Sequence, residues 1–300
     1  MSFDVVCIGP VFLDLTFEGL DELPAPGRER FALELHETPG GSAITAIGLA
    51  RLGLRVAVAG PLGSDVAGTT VTRLLEAEGV ACAGTTGGRT PVTAVLPLDG
   101  ERAFVTYEPS ARVEPALVAR LRPRAVVVGL DQLHLIPDDT LAYVVVGDRV
   151  AERYAGALPP DTRRARALLA NHFEAERLTG EGDPGSAALA LAEQVPVAVV
   201  SCGAVGAVAA SGGNVFECPA PAVEVRDTTG AGDLLAAAYV WGDLEGLPLV
   251  ERLRRAVVYS ALSVRAATGV AGAATYDELE RSLAELDPAI MQTASAKEGA

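Results

Sequence analysis

The chain has 300 residues, 49% of them hydrophobic and only 5% aromatic, and a formal net charge of −15. That length holds one large domain or one domain with an appendage, and a Leu-, Val-, Ala- and Gly-dominated composition suits a sheet covered by helices on both faces. The negative balance argues against nucleic acid or an anionic membrane as the main partner.

Phe3 to Ile8 is a short apolar run ending at Gly9-Pro10, a first buried strand. Asp14 to Thr38 alternates, is polar and turns at Leu23-Pro24-Ala25-Pro26-Gly27, so it reads as exposed strands. Gly40-Gly41 opens a helix, Ser42 to Leu52, stopped by Gly53. Arg55 to Ala59 is a strand and Gly68 to Glu78 a helix. Thr90 to Leu96 and Arg102 to Tyr107 flank Asp99-Gly100, a hairpin signal. Strands follow at Ala125 to Val128, Tyr143 to Val146, Leu168 to Ala170 and Val197 to Ser201. A second hairpin turns at Ser211-Gly212-Gly213, and Ala222 to Val225 is β-like. Arg254 to Ala267 and Tyr276 to Leu286 are helices, and 288–300 is expected to be a flexible tail. Strand–helix alternation over most of the length means a parallel sheet with helices on both faces. The two polar insertions, about 13–38 and 88–109, are expected to form a separate β flap within a domain of residues 1–287.

Several absences narrow the chemistry. Cys7, Cys82, Cys202 and Cys218 show no Cys-x-x-Cys spacing and read as buried free thiols, while His36, His134 and His172 form no ligand pattern. No basic-then-apolar leader opens the sequence and no apolar run reaches about 18 residues. A cytoplasmic enzyme with no membrane partner is the resulting expectation. The single lysine, Lys297, removes both the P-loop and the protein-kinase strand lysine. Pro10-Val11-Phe12 after Gly9 removes the dinucleotide Gly-x-Gly-x-x-Gly turn.

Asp227-Thr228-Thr229-Gly230-Ala231-Gly232-Asp233 precedes a long apolar helical run, Leu234 to Trp241. Glycines there leave bare N–H groups at a helix N-terminus, an anion site, with a carboxylate beside it able to take a proton from an attacking hydroxyl. The pattern points to phosphoryl transfer. Asn171 and Glu174 lie three apart; at a helix start both face one side of the first turn. They suit either a hydrated Mg²⁺ or an ordinary cap without ligand.

Three ordered elements resemble the PfkB, or ribokinase-like, carbohydrate kinase family. They are Gly40-Gly41 before a helix ending Leu49-Ala50-Arg51-Leu52-Gly53, with Val58 to Gly68 after it; Asn171-His172-Phe173-Glu174 with Leu178-Thr179-Gly180; and Asp227 to Asp233. The resemblance implies a three-layer α/β/α sandwich with a mainly parallel central sheet and a small β-sheet lid. It implies ATP and Mg²⁺ as cofactors and a hydroxymethyl group of a sugar or sugar-like molecule as acceptor. Asp233 matches the base, and Gly230, Ala231 and Gly232 the anion hole. Asn171 and Glu174 match the metal region, where Mg²⁺ is held through water, and Ser201, Gly203, Gly206 and Thr228 the nucleotide-phosphate loops. Asp227 and Thr229 match positions that hold a monovalent cation, K⁺, in many relatives. Asp14, Gly40 and Gly41 match the acceptor site, which Arg102 can reach from the lid. Family lids often pair across a homodimer.

The pattern departs where the family carries substrate asparagines: Phe12 and Thr45 stand there instead. Phe12 can stack on a nucleobase or a sugar face, which keeps a nucleoside kinase as an alternative. A non-catalytic ligand-binding relative is the other. The stretch from Val128 to Asn171 is short by about one crossover helix.

Overall fold

The computed structural model describes residues 2–85, 88–98, 101–109, 113–286 and 296–297. The strands are β1 (Val5–Ile8), β2 (Val11–Glu18), β3 (Glu34–Gly41), β4 (Val56–Leu62), β5 (Ala81–Thr85), β6 (Val92–Leu98), β7 (Glu101–Tyr107), β8 (Ala125–Gly129), β9 (Leu141–Val145), β10 (Ala167–Asn171), β11 (Ala198–Ser201), β12 (Gly206–Ser211), β13 (Asn214–Pro219) and β14 (Ala296–Lys297). The helices are α1 (Ser42–Arg51), α2 (Val66–Ala77), α3 (Pro115–Leu121), α4 (Asp148–Arg153), α5 (His172–Thr179), α6 (Pro184–Ala192), α7 (Ala231–Leu244), α8 (Leu249–Ser263), α9 (Gly269–Gly272) and α10 (Tyr276–Glu285).

Ten strands form one sheet in the order β14-β13-β12-β11-β10-β9-β8-β1-β4-β5. From β11 to β5 neighbouring strands run parallel, and β12, β13 and β14 add antiparallel at one edge. Alternation along each strand explains the two layers of helices. Val5, Cys7, Val56 and Val58 point into one core with α1, α7 and α8. Val6, Ile8, Ala57 and Ala59 point into the other, with α5 and α6. Both sets are apolar because both faces are covered.

The crossover between β8 and β9 is reduced, as its length implies: a 3₁₀ segment, Leu130–Leu135, stands in place of an α-helix. The sheet is nevertheless continuous, with Val128 opposite Val144.

A second sheet, β3-β2-β6-β7, stands apart. Only Gly9 and Pro10 separate β1 of the main sheet from β2 of the small one. The return passes through Gly41, whose φ of 63° precedes α1. Alanine there would set its Cβ 2.4 Å from Pro10 O, so glycine is required.

Two expectations are corrected. Residues 222–225 are unpaired chain, not a strand: Pro219 and Pro221 remove ladder donors just upstream. Within the segment expected to be a flexible tail, Ala296 pairs with Phe216; the rest of that segment, and the Asp99-Gly100 turn, lie outside the described residues. No helix among the described residues is long and apolar enough to cross a membrane.

Candidate active site

The site is built on the first turn of α7. Gly230 takes φ 75° there, and no side chain caps the helix. A Cβ at Gly230 would lie 3.0 Å from the Ile44 side chain. The Ala231 N–H donates to Thr228 O at 3.3 Å, while the next N–H groups of the turn take no side-chain cap, and such a helix start can bind an anion. Asp227 shapes the approach, its Oδ1 accepting the Thr229 N–H at 2.7 Å.

Asp233 follows in the same turn. Its Oδ1 accepts from Thr45 Oγ1 at 3.2 Å. Burial pushes its carboxyl up to about 6, the Thr45 hydrogen bond opposes that shift, and the charge of Asp14 adds to it. A base poised near neutrality suits proton removal from an alcohol in concert with its attack.

This turn contributes residues to the walls of two cavities of about 420 Å³ each. One is lined by Ala231 and Gly232, the apolar chain 220–223, and Val257 and Val264. Ser201, Gly203, Gly206 and Thr228, expected at the nucleotide phosphates, lie on its wall. The other is lined by Asp233, Gly41, Thr45, Gly9 and Pro10. The first turn of α7 thus contributes Ala231 and Gly232 to an apolar slot and Asp233 to a chamber lined with charged side chains, the polar chamber.

The remaining expected residues fall elsewhere. Asp14 is not on the wall of the polar chamber; it packs on Gly40, where a Cβ would lie 2.0 Å from its Oδ2. Burial pushes the Asp14 carboxyl up to about 6, with a hydrogen bond from Thr93 opposing. The Phe12 ring packs over Gly41, outside that wall. Arg102 does not point into the acceptor chamber: its guanidinium pairs with the Asp227 carboxylate and donates to Thr228 Oγ1 at 2.8 Å. Four charged residues that sequence reasoning missed do line the chamber: Glu108, Asp131, Arg149 and Arg153. They come from three separate segments, and none sits in a motif.

Asn171 and Glu174 form a reciprocal cap on α5. Glu174 N–H donates to Asn171 Oδ1 at 2.9 Å, and Asn171 N–H donates to Glu174 Oε2 at 2.8 Å. The Glu174 carboxyl is pushed up to about 7, chiefly by burial, with the Asn171 backbone hydrogen bond opposing and the charges of Asp148 and Asp233 adding to the rise. The charges of Asp148 and Asp233 both bear on Glu174, and a divalent cation held through water would relieve that repulsion, although Asp148 also pairs with Arg177 and Glu174 Oε2 is engaged in the cap. For a monovalent ion the fit is divided. The Thr229 hydroxyl is buried without a partner among the described residues, but the neighbouring Asp227 carboxylate already holds a guanidinium.

The model of the pfkB family of carbohydrate kinases matches residues 2–127 and 161–274. The chain belongs to that family. Its members are phosphotransferases with an alcohol group as acceptor. The bifunctional protein HldE of Halorhodospira halophila is 30% identical over 310 residues, covering 93% of this chain. The pfkB chain spans only 63% of that relative's length. Ribokinase from Thermotoga maritima superposes with a TM-score of 0.81 at 19% identity, covering 94% of this chain and all of the other. The Arabidopsis thaliana ribokinase complexed with ribose and ATP gives 0.77 at 21% identity, covering 96% and 100%. The fold is therefore that of ribokinase: a large, mostly parallel sheet between helices, and a small separate lid sheet.

Proposed function

We propose that this protein transfers the γ-phosphoryl group of ATP to a hydroxymethyl group of a sugar or sugar-like small molecule. The observation that carries the reading is that the first turn of α7 walls two cavities, the apolar slot at Ala231 and Gly232 and the polar chamber at Asp233. ATP enters the apolar slot and the acceptor the polar chamber. The Gly230–Gly232 N–H groups hold the charge of the migrating phosphoryl group, and Asp233 takes the proton of the acceptor hydroxyl. Asn171 and Glu174 would hold a hydrated Mg²⁺, which when bound would offset phosphate charge. The lid keeps out water, which otherwise competes as acceptor.

The lid also supports a homodimer. Register puts Leu35, Val105 and Tyr107 on one face of the lid sheet, and all three are exposed. A second copy covers such a face at little desolvation cost; sedimentation of the protein as a monomer at micromolar concentration removes this part.

The test is ADP release with Mg·ATP across a panel of sugars, sugar derivatives and nucleosides, with Asp233→Asn as control. Turnover of a sugar or sugar derivative that is lost in the variant supports the reading. Preference for a nucleoside replaces it with the nucleoside-kinase alternative, and no turnover with any acceptor replaces it with a non-catalytic one.

A further inference from the structure

The wall of the acceptor chamber is uneven. Its hydroxyls donate into the protein: Ser42 Oγ to Pro10 O at 3.1 Å, Thr45 Oγ1 to Asp233 Oδ1 at 3.2 Å. Neither offers its proton to a ligand. Arg149 and Arg153 are the cations of the wall, one turn apart on α4. Arg149 Nη2 reaches Glu108 Oε2 at 2.9 Å, and Arg153 Nη1 reaches Asp131 Oδ2 at 3.5 Å. Each guanidinium has five N–H donors, so single contacts leave most of them free. The two side chains are 82% and 61% exposed, and ion pairs that open to water contribute little. An incoming anion with several acceptor oxygens therefore displaces them readily. A fork-shaped guanidinium matches phosphate or carboxylate geometry better than it matches a neutral hydroxyl.

Position in the sequence points the same way. Asp131, Arg149 and Arg153 all lie in the internal stretch, 128–160, that the family model leaves unmatched. The turn that carries Asp233 lies within the residues the family model matches, whereas this end of the chamber lies outside them.

We propose that the acceptor carries an anionic group, a phosphate or a carboxylate, remote from the hydroxyl to be phosphorylated, and that Arg149 and Arg153 bind it. Binding exchanges Glu108 and Asp131 for the ligand anion on the two guanidinium groups. The freed carboxylates accept hydrogen bonds from the ligand's hydroxyls or turn to solvent. This rests on the kinase reading for the identity of the chamber.

The experiment combines binding with turnover. Fructose, fructose 6-phosphate and gluconate, then a wider set of sugars, nucleosides, sugar monophosphates and aldonic acids, are scored by ligand-induced melting shift and by kcat/KM with Mg·ATP. Wild type is compared with the Arg149→Gln/Arg153→Gln double variant. The expected result is at least a tenfold preference for an anionic acceptor over its neutral parent, falling at least tenfold in the double variant and weakening as salt is raised. The phosphate and carboxylate arms show which anion is used. An anion-dependent melting shift that the double variant lacks, without turnover of any compound, upholds the anion site and sinks the kinase reading. A neutral compound as best acceptor, with a KM indifferent to both substitutions, overturns the proposal; so does the lack of any arginine-dependent binding of an anionic compound.

Discussion

Thr45 Oγ1 lies within hydrogen-bonding distance of both Asp233 Oδ1, at 3.2 Å, and Asp233 O, at 3.3 Å, tying the first turn of α1 to the first turn of α7. The donor stabilises the ionised carboxylate against the burial that raises its pKa. Thr45→Val keeps the shape and removes the donor. The acid limb of the kcat/KM profile should move up by roughly one pH unit, with little change at pH 8. A limb that stays in place separates Thr45 from control of the base.

Asp233 must be ionised to accept a proton, and its carboxyl sits near 6. Activity should therefore climb through pH 6 to a plateau, and Asp233→Asn should lower kcat by about 10²-fold or more. Stability runs the other way. A folded-state pKa above the unfolded value of about 3.9 means that the fold holds the proton more tightly than the open chain does. That contribution is complete below about pH 4 and is lost as pH rises through about 6. Asp233→Asn should consequently melt a few degrees higher than wild type at pH 8, with the gap closing near pH 4. Melting curves at the two pH values check the sign.

Arg102 joins the lid to the anion-hole loop through Asp227 and Thr228, and Arg226 reaches back to Glu18 of the lid at 2.8 Å. Arg102→Ala leaves a buried carboxylate without its cation and the lid with fewer ties. Phosphorylation of acceptor should drop by roughly tenfold while ATP hydrolysis without acceptor rises. Lysine should restore only part, because it lacks the second donor arm. ADP release with and without acceptor reads both effects.

At the far end of α7, about 15 Å along its axis from the base, Asp243 accepts from Tyr143 Oη and from Arg166 and Arg252. Burial alone would raise its pKa, but the hydrogen bonds of Arg166 and Tyr143 and the charges of both arginines hold it low. Asp243→Ala strands three donors and should cost about 3–5 kcal/mol. Urea unfolding should show the loss while the KM for ATP stays as in wild type.

The catalytic turn was legible because its chemistry is local: Gly230, Gly232 and Asp233 must be close in sequence to share one helical turn. The parallel sheet was legible from short apolar runs such as Val5–Ile8, which are buried on both faces. The charged end of the acceptor chamber was not. Glu108 follows β7 of the small sheet while Asp131 and Arg149 follow the neighbouring strands β8 and β9 of the large one, and no local pattern encodes their meeting. Residues 222–225 misled because an alternating run reads as a strand wherever it falls. Here it has no ladder partner and walls the apolar slot instead. Arg102 was placed on the lid but not aimed, since its direction follows from the pairing of β7 with β6.

Two strands of the small sheet, β2 and β3, join the body in the wall of the acceptor chamber, one by Gly9 and Pro10, the other by Gly41. A molecule seated there touches both of these connections, so under the kinase reading a substitution chosen to retune which alcohol is admitted should also change how fast the small sheet closes over it.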